Sequence, residues 1–304
     1  MPAAPAYHAP ASLEETLALL RRLGPDARVV AGGQDIVPLM NQGRLNPGGL
    51  IDLKALKALN GVHPRNGSLV IGALTTHRTI ERAGSLRAVC RLLAEAAGQI
   101  GGGIQVRNRG TIGGSVCTGN PAYDYAPCLV ALDAEFRVAS LAGERRITAS
   151  EFFRDAHVTA LEPDELLTEI IVPSSGPNAG VAYEKLKFTD GCYTIASAAC
   201  TVRLNADDTY GVVRLAVGGV AAVPVRLRQA EWRLTGSSLT DDSLADATAL
   251  AEEAVDHPLN DVLADGMYRR VMAGVMARRA LVLATGRARS QADEGRQAAE
   301  GGPS

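Results

Sequence analysis

Apolar positions fall in short runs that switch between helical and strand-like spacing through the first half of the chain. Ser12-Leu-Glu-Glu15 has the spacing of a capping box, in which a hydroxyl and a carboxylate satisfy free N–H groups at the start of a helix. Leu13, Leu17 and Leu20 give that helix one apolar stripe, and Gly24 stands at its C-terminal cap. Residues 27–31 form a short β-rich run ending in Gly32-Gly33, and 34–40 read as a helical turn. Strands are predicted at 50–53, 68–74, 129–140 and 165–172, the last stopped by Pro173, and helices over 75–99.

The pattern changes at 173–180, Pro-Ser-Ser-Gly-Pro-Asn-Ala-Gly, a turn-rich segment that reads as a domain boundary. Beyond it, apolar strand-like runs come first, at 183–188, 195–204 and 212–220, with 205–210 as a hairpin loop. Helical spacing follows at 239–255 and 266–284. Strands followed by helices are the mark of an α+β domain. The organisation is therefore a first domain over 1–173, a second over 180–285, and a polar, charged tail over 287–304 that is expected to be disordered.

With 304 residues, 46% of them apolar, the chain is long enough for one large or two ordinary cores. The net charge of −2 comes with Arg interleaved among Asp and Glu, which argues against a nucleic-acid face. No run is long and apolar enough to span a bilayer, and 1–11 lacks the features of a signal peptide. The five cysteines, Cys90, Cys117, Cys128, Cys192 and Cys200, include no Cys-x-x-Cys pair. That argues against disulfides, zinc or a cluster held by this chain, and for reduced thiols in a cytoplasmic protein. The five histidines have no ligand spacing and read as surface or capping residues.

Two segments have chemical promise. One is Val29-Val-Ala-Gly-Gly-Gln-Asp-Ile36; the other is Arg107-Asn-Arg-Gly-Thr-Ile-Gly-Gly-Ser115, preceded by Gly101-Gly-Gly103. Paired glycines after a strand let successive N–H groups converge on an anion, and a diphosphate suits two such loops; two ordinary tight turns would leave the same trace. Neither G-x-G-x-x-G nor G-x-x-x-x-G-K-[ST] occurs, so any nucleotide is held in neither the Rossmann nor the P-loop manner. His-Glu-x-x-His and the G-x-S-x-G elbow are absent too.

An ordered set of strings carries a resemblance. Ala31-Gly-Gly-Gln34, Ile51-Asp-Leu53, Ile71-Gly-Ala-Leu-Thr75 and Val106-Arg-Asn-Arg-Gly-Thr-Ile-Gly-Gly114 are followed by Asn120-Pro-Ala-Tyr-Asp124, Leu132-Asp-Ala134 and Pro163-Asp-Glu-Leu-Leu167. Gly218-Gly-Val-Ala221, Pro224-Val-Arg226 and Tyr268-Arg-Arg-Val-Met272 complete the set. Together they resemble the FAD-binding medium subunit of molybdenum hydroxylases, the family that includes carbon monoxide dehydrogenase and the flavin domain of xanthine dehydrogenase.

The resemblance implies a two-subdomain FAD-binding fold of the vanillyl-alcohol-oxidase (PCMH) type, then a smaller α+β C-terminal domain. It implies FAD contacts from Val29, Val30, Ala31, Gly32, Gly33, Gln34, Asp35 and Ile36 in the first loop. Thr111, Ile112, Gly113, Gly114 and Ser115 would form the second, with Gly102 in the loop before it. Asp124 would meet the adenosine end and Lys185 the flavin ring, with Lys187 an equally available register. Leu161 and Ile170 fall where the family makes backbone or apolar contacts around the flavin, and Tyr193 is a candidate shield for the ring or, equally, a core aromatic. Departures are Asp35, where Ser or Thr is commoner and which is expected to turn outward as a helix N-cap, Phe188 in place of an Arg, and Tyr123 and Tyr125 around Asp124. Since neither loop contains His, the FAD is expected to be non-covalent. No catalytic residue and no metal ligand is assigned to the chain.

As an oxidoreductase subunit, the chain would pass electrons from [2Fe–2S] clusters of a small partner to an external acceptor. A large partner would hold the molybdopterin cofactor, and the assembly would be a dimer of heterotrimers. The alternatives are a self-sufficient FAD oxidoreductase of the same fold and a non-catalytic nucleotide-binding module. The substrate and the acceptor are not written in this chain.

Overall fold

A computed structural model describes residues 4–300 except 175, 177 and 178, without the side chains of 87–89 and 295–300. The first subdomain is a three-stranded parallel sheet in the order Ala6–His8, Gly49–Asp52, Ala27–Val30. The helix Leu13–Leu23 covers it through Leu17, Leu19 and Leu20, which join Ile51 and Leu53 in one core. Ser12 Oγ accepts from the Glu15 N–H at 3.1 Å, as its spacing predicts, but the Glu15 carboxylate reaches back to the N–H of Ala11, at 2.8 Å, instead of Ser12.

The second subdomain is a five-stranded antiparallel sheet, ordered Val62–Arg65, Ser68–Gly72, Leu166–Pro173, Glu135–Ser140, Gly143–Thr148. Short helices pack on it around Phe136, Phe152 and Phe153, whose rings meet at 4.2–6.2 Å. Here the apolar pattern misleads. The run expected as a strand over 129–140 is the end of a helix, Tyr125–Ala131, followed by a strand only at Glu135–Ser140. All seven helix residues are buried, and a run that is apolar on every side has no periodicity to tell helix from strand.

The C-terminal domain is a four-stranded antiparallel sheet, Ala179–Leu186, Ala196–Leu204, Tyr210–Gly218 and Val225–Arg226. Alternation along its strands separates two cores. Ala198, Cys200 and Val202 face the helices Asp241–Glu253 and Gly266–Glu300, while Val181, Tyr183 and Ala199 join the core of the five-stranded sheet. The two parts therefore share packed surface, although the chain between them passes through Ser175, Pro177 and Asn178, which lie outside the described residues.

The last helix runs past Arg287, where the sequence reading expects a disordered tail; residues 301–304 lie outside the description. Ala288 is fully buried, Arg287 donates to the Val181 carbonyl at 2.6 Å and to Glu95 at 2.9 Å, and Arg289 pairs with Asp208 at 2.7 Å. These anchors, on Ala- and Arg-rich sequence of good helix propensity, hold what composition alone reads as unstructured. Among the described residues no helix is long and apolar enough to cross a membrane.

Candidate functional site

The strand Ala27–Val30 delivers the chain into Gly32-Gly33 at the edge of a cleft of about 260 Å³. Gly32 is needed for a close approach: a Cβ there would lie 2.1 Å from the carbonyl oxygen of Arg109, at the start of the second glycine segment. Gly33 has φ +72°, the left-handed region that disfavours a side chain. Among the described residues, no backbone oxygen accepts from the N–H groups of Gly32, Gly33, Gln34, Asp35 or Ile36. Several free donors in succession around a left-handed glycine form a concave anion site.

The second segment is built differently. Thr111 caps the helix Ile112–Thr118, its hydroxyl accepting from the Gly114 N–H at 3.1 Å. The N–H groups of Ile112 and Gly113 are spent on the carbonyls of Thr75 and Ala73, at 3.0 and 2.9 Å. Gly113 is there because a Cβ would lie 2.5 Å from the Ala73 oxygen. Of the two loops, only the first keeps a row of free N–H groups; the second offers the hydroxyls of Thr111 and Ser115 at the cleft wall.

Of the residues singled out in the sequence, Gly32, Gln34, Asp35, Gly102, Thr111, Gly114, Ser115, Asp124 and Lys185 line this cleft together. Ala31 faces an adjoining cavity that shares Gly32 and Thr111 and is rimmed by Lys54, Lys57 and Arg109. Val29, Val30, Gly33, Ile36, Ile112 and Gly113 do not line the cleft. Ile170 is fully buried in its strand against Phe136 and Ile71, and Leu161 packs on the same core, so neither lines the cleft.

Three expectations change. Asp35 does not turn outward: its side chain caps nothing, and its carboxylate accepts from the Thr118 hydroxyl at 2.9 Å and the Tyr123 phenol in a short bond. Asp124 and Lys185, expected at opposite ends of a dinucleotide, form an ion pair of 2.8 Å. Tyr183 and Thr194 also donate to Asp124, at 2.7 and 3.3 Å, and Lys185 to the Gln99 carbonyl at 3.1 Å. Burial raises the Asp124 carboxyl above the usual range, against the pull of Lys185 and these hydroxyls. Lys187 pairs with the exposed Asp190 instead, so Lys185 is the lysine that faces the cleft.

Third, His77 is neither surface nor cap. It is buried in the cleft wall, with Nδ1 3.2 Å from the Tyr125 hydroxyl and its ring so close to Gly110 that a Cβ there would lie 2.6 Å from Nε2. Burial, and next the charge of Arg107, lower its pKa to about 4, so it is neutral at pH 7. No motif or local spacing in the chain marks it. Tyr193 and Cys192 enter from the C-terminal domain, on a loop that touches Gly101 and Gly102, with the Gly102 N–H donating to the Gly191 carbonyl at 3.1 Å. Burial pushes the Cys117 thiol up to about 12, so it is protonated at pH 7.

The chain matches the family described as FAD binding domain in molybdopterin dehydrogenase over residues 3–175. It matches the CO dehydrogenase flavoprotein C-terminal domain over residues 181–284. The chain belongs to the FAD-binding medium-subunit family of the molybdenum hydroxylases. It is 37% identical over 275 residues to the carbon monoxide dehydrogenase medium chain of Hydrogenophaga pseudoflava, covering 90% of this chain and 95% of that one. The medium chain from Afipia carboxidovorans is 35% identical, with 93% and 98% covered. A solved carbon monoxide dehydrogenase from Hydrogenophaga pseudoflava, lacking the Mo-pyranopterin moiety of its cofactor, superposes with a TM-score of 0.91 at 36% identity, over 94% of this chain and 99% of that one. The cofactor of this family is FAD. The residues fit it: a dianionic diphosphate matches the free N–H groups of the first loop, and the wall bearing Tyr193 and Lys185 matches a planar, electron-accepting ring.

Proposed function

We propose that this chain is the electron-transfer subunit of a heteromeric molybdenum hydroxylase, receiving electrons from [2Fe–2S] clusters of a small partner and delivering them to an external acceptor. The reading rests on one observation above all. The loop from Gly32 to Ile36, whose N–H groups no backbone oxygen takes up, borders through Gly32, Gln34 and Asp35 a cleft also lined by Lys185 and Tyr193, in a chain similar along its length to medium chains. The first loop, with Thr111 and Ser115, holds the diphosphate of non-covalent FAD. Lys185 and Asp124 together set a buried ion pair in the wall of the cleft. When bound, FAD supplies the redox chemistry; the chain's part is to bind it, orient it and set the charge around it. Hydroxylation takes place on a large molybdopterin-binding partner, the complex is a dimer of heterotrimers, and its place is the cytoplasm.

The test is anaerobic. The isolated chain reconstituted with FAD should stay oxidised when the complex's substrate is added, while the assembled complex bleaches at the flavin band. Bleaching of the isolated chain at the turnover rate would make it a self-sufficient flavoenzyme. Heat-denatured protein should release its flavin, as FAD, into the supernatant.

A further inference from the structure

We propose that Asp35 is a positioning residue for the flavin dinucleotide, a hydroxyl-bound latch that fixes the first glycine loop to Tyr123. The inference rests on the flavin reading above and adds to it a role for a carboxylate that, taken alone, should repel a diphosphate. Asp35 is the fourth residue of the free N–H run, so its place fixes the direction of the donors before it. Both its oxygens are committed. Oδ2 accepts from Thr118 at 2.9 Å, sharing that hydroxyl's one proton with the Gly114 carbonyl, 2.8 Å away in the same helix, which carries most of the second segment. Oδ1 accepts from the phenol of Tyr123.

Tyr123 belongs to the turn before Asp124, held by the Asn120 side chain accepting from the Ala122 N–H at 3.0 Å. Its ring stacks on Tyr193 of the C-terminal domain, 6.0 Å between centroids and 23° between planes. One carboxylate thus joins the first loop, the helix of the second loop and, through two rings, the C-terminal wall of the cleft. Hydrogen bonds from two hydroxyls stabilise the carboxylate and fix it where it stands. A loop whose donors are fixed before the ligand arrives loses less entropy on binding.

The full-length chain, stripped of flavin, should be titrated with FAD by fluorescence quenching, with the melting temperature of the flavin-free protein as control. Tyr123→Phe keeps the ring stack and loses the hydroxyl; it should weaken FAD about tenfold, as should Asp35→Ala. Asp35→Asn keeps a hydrogen-bonding partner for both hydroxyls and should bind within threefold of the wild type, the rescue that defines the latch. The double variant Asp35→Ala with Tyr123→Phe should be no weaker than either single one. Wild-type affinity in both Asp35→Ala and Tyr123→Phe would overturn the proposal. So would equal tightening by Asp35→Ala and Asp35→Asn, which would make Asp35 a bare repulsive charge. A fall in affinity that follows the melting temperature in all variants, Asp35→Asn included, would reduce the residue to a structural one. Failure of the wild type itself to take up FAD would overturn the flavin reading and the latch together.

Discussion

Lys185 and Asp124 neutralise each other inside the cleft, with side chains 0% and 6% exposed. Removing one partner of such a pair leaves a buried charge and costs about 3–5 kcal/mol, while replacing both can be close to neutral. Lys185→Met should therefore destabilise the chain strongly, and adding Asp124→Asn should recover most of the loss. The sign with pH follows from the raised Asp124 carboxyl. Unfolded, it releases its proton near pH ~3.9; folded, it holds the proton longer, so its contribution to stability falls as pH rises through the interval above that value. Without Lys185 the interval widens upward. Denaturant melts at pH 5 and pH 8 should show the larger loss at pH 8; equal losses would mean that Asp124 is not the group left stranded.

The two glycine segments make unequal demands. At Gly32 and Gly113 an added Cβ meets backbone oxygen, at 2.1 and 2.5 Å, whereas at Gly114 it meets only the Thr111 hydroxyl, at 3.1 Å. The Arg109 carbonyl at the end of a helix and the Ala73 carbonyl just past a strand are held by backbone and cannot step aside; a threonine side chain can shift by a few tenths of an ångström. Gly32→Ala and Gly113→Ala should each cost about 1–3 kcal/mol and most of the flavin occupancy, and Gly114→Ala little of either. Occupancy of the purified variants, read with their melting temperatures, checks the ranking. A Gly32→Ala protein that keeps its flavin would show that the loops need not touch.

Much of this was legible in the chain. Residues of both glycine strings, Asp124 and Lys185 come together at one cleft, and the second domain runs strands first and helices after. What escaped did so for physical reasons. The helices Gly103–Arg109 and Ile112–Thr118 contain residues of poor helix propensity and are set by contacts far away in sequence, such as Gly113 against Ala73. The strand Gly143–Thr148 is an exposed edge with one buried residue, so it carries no alternating pattern. His77 reaches the cleft wall beside Gly110, with Tyr125 behind it, a tertiary placement that no local spacing reveals. The pairing of Asp124 with Lys185 is likewise tertiary, across 61 positions of chain.

His77 gives the acid side of the stability profile. With a folded pKa of about 4 against an unfolded value near ~6.5, it is neutral in both states above pH ~6.5. As pH falls from there towards 4, the unfolded chain takes up a proton that the folded one refuses, so stability is lost on acidification, by about 3 kcal/mol in full. His77→Gln should flatten this limb between pH 6.5 and 4 while leaving the Gly110–Thr111 backbone in place. Guanidinium melts at half-unit steps measure it; an unchanged slope in the variant would assign the acid sensitivity elsewhere.

The end of the last helix is a structural element, and its removal is the sharpest test of that. Arg287 binds two parts of the molecule at once, the Val181 carbonyl in the C-terminal sheet and Glu95 on the helix Arg91–Gln99 of the flavin side. Strand and helix meet here so closely that a Cβ on Gly180 would lie 1.8 Å from the Ala284 carbonyl. Hydrogen bonds from a charged donor contribute about 1.5–3 kcal/mol each when largely buried; with the Arg287 side chain 23% exposed, the lower end applies. Losing Ala288 uncovers apolar surface in addition. Truncation after Gly286 should therefore lower the melting temperature by several degrees and loosen flavin retention, since the helix Arg91–Gln99 leads directly into Gly101 and Gly102 at the cleft. Truncation after Glu294 keeps Arg287, Ala288 and Arg289 and should melt close to the full chain. If the two truncations melt together, at the temperature of the intact protein, the contacts of Arg287 contribute nothing and the segment is dispensable.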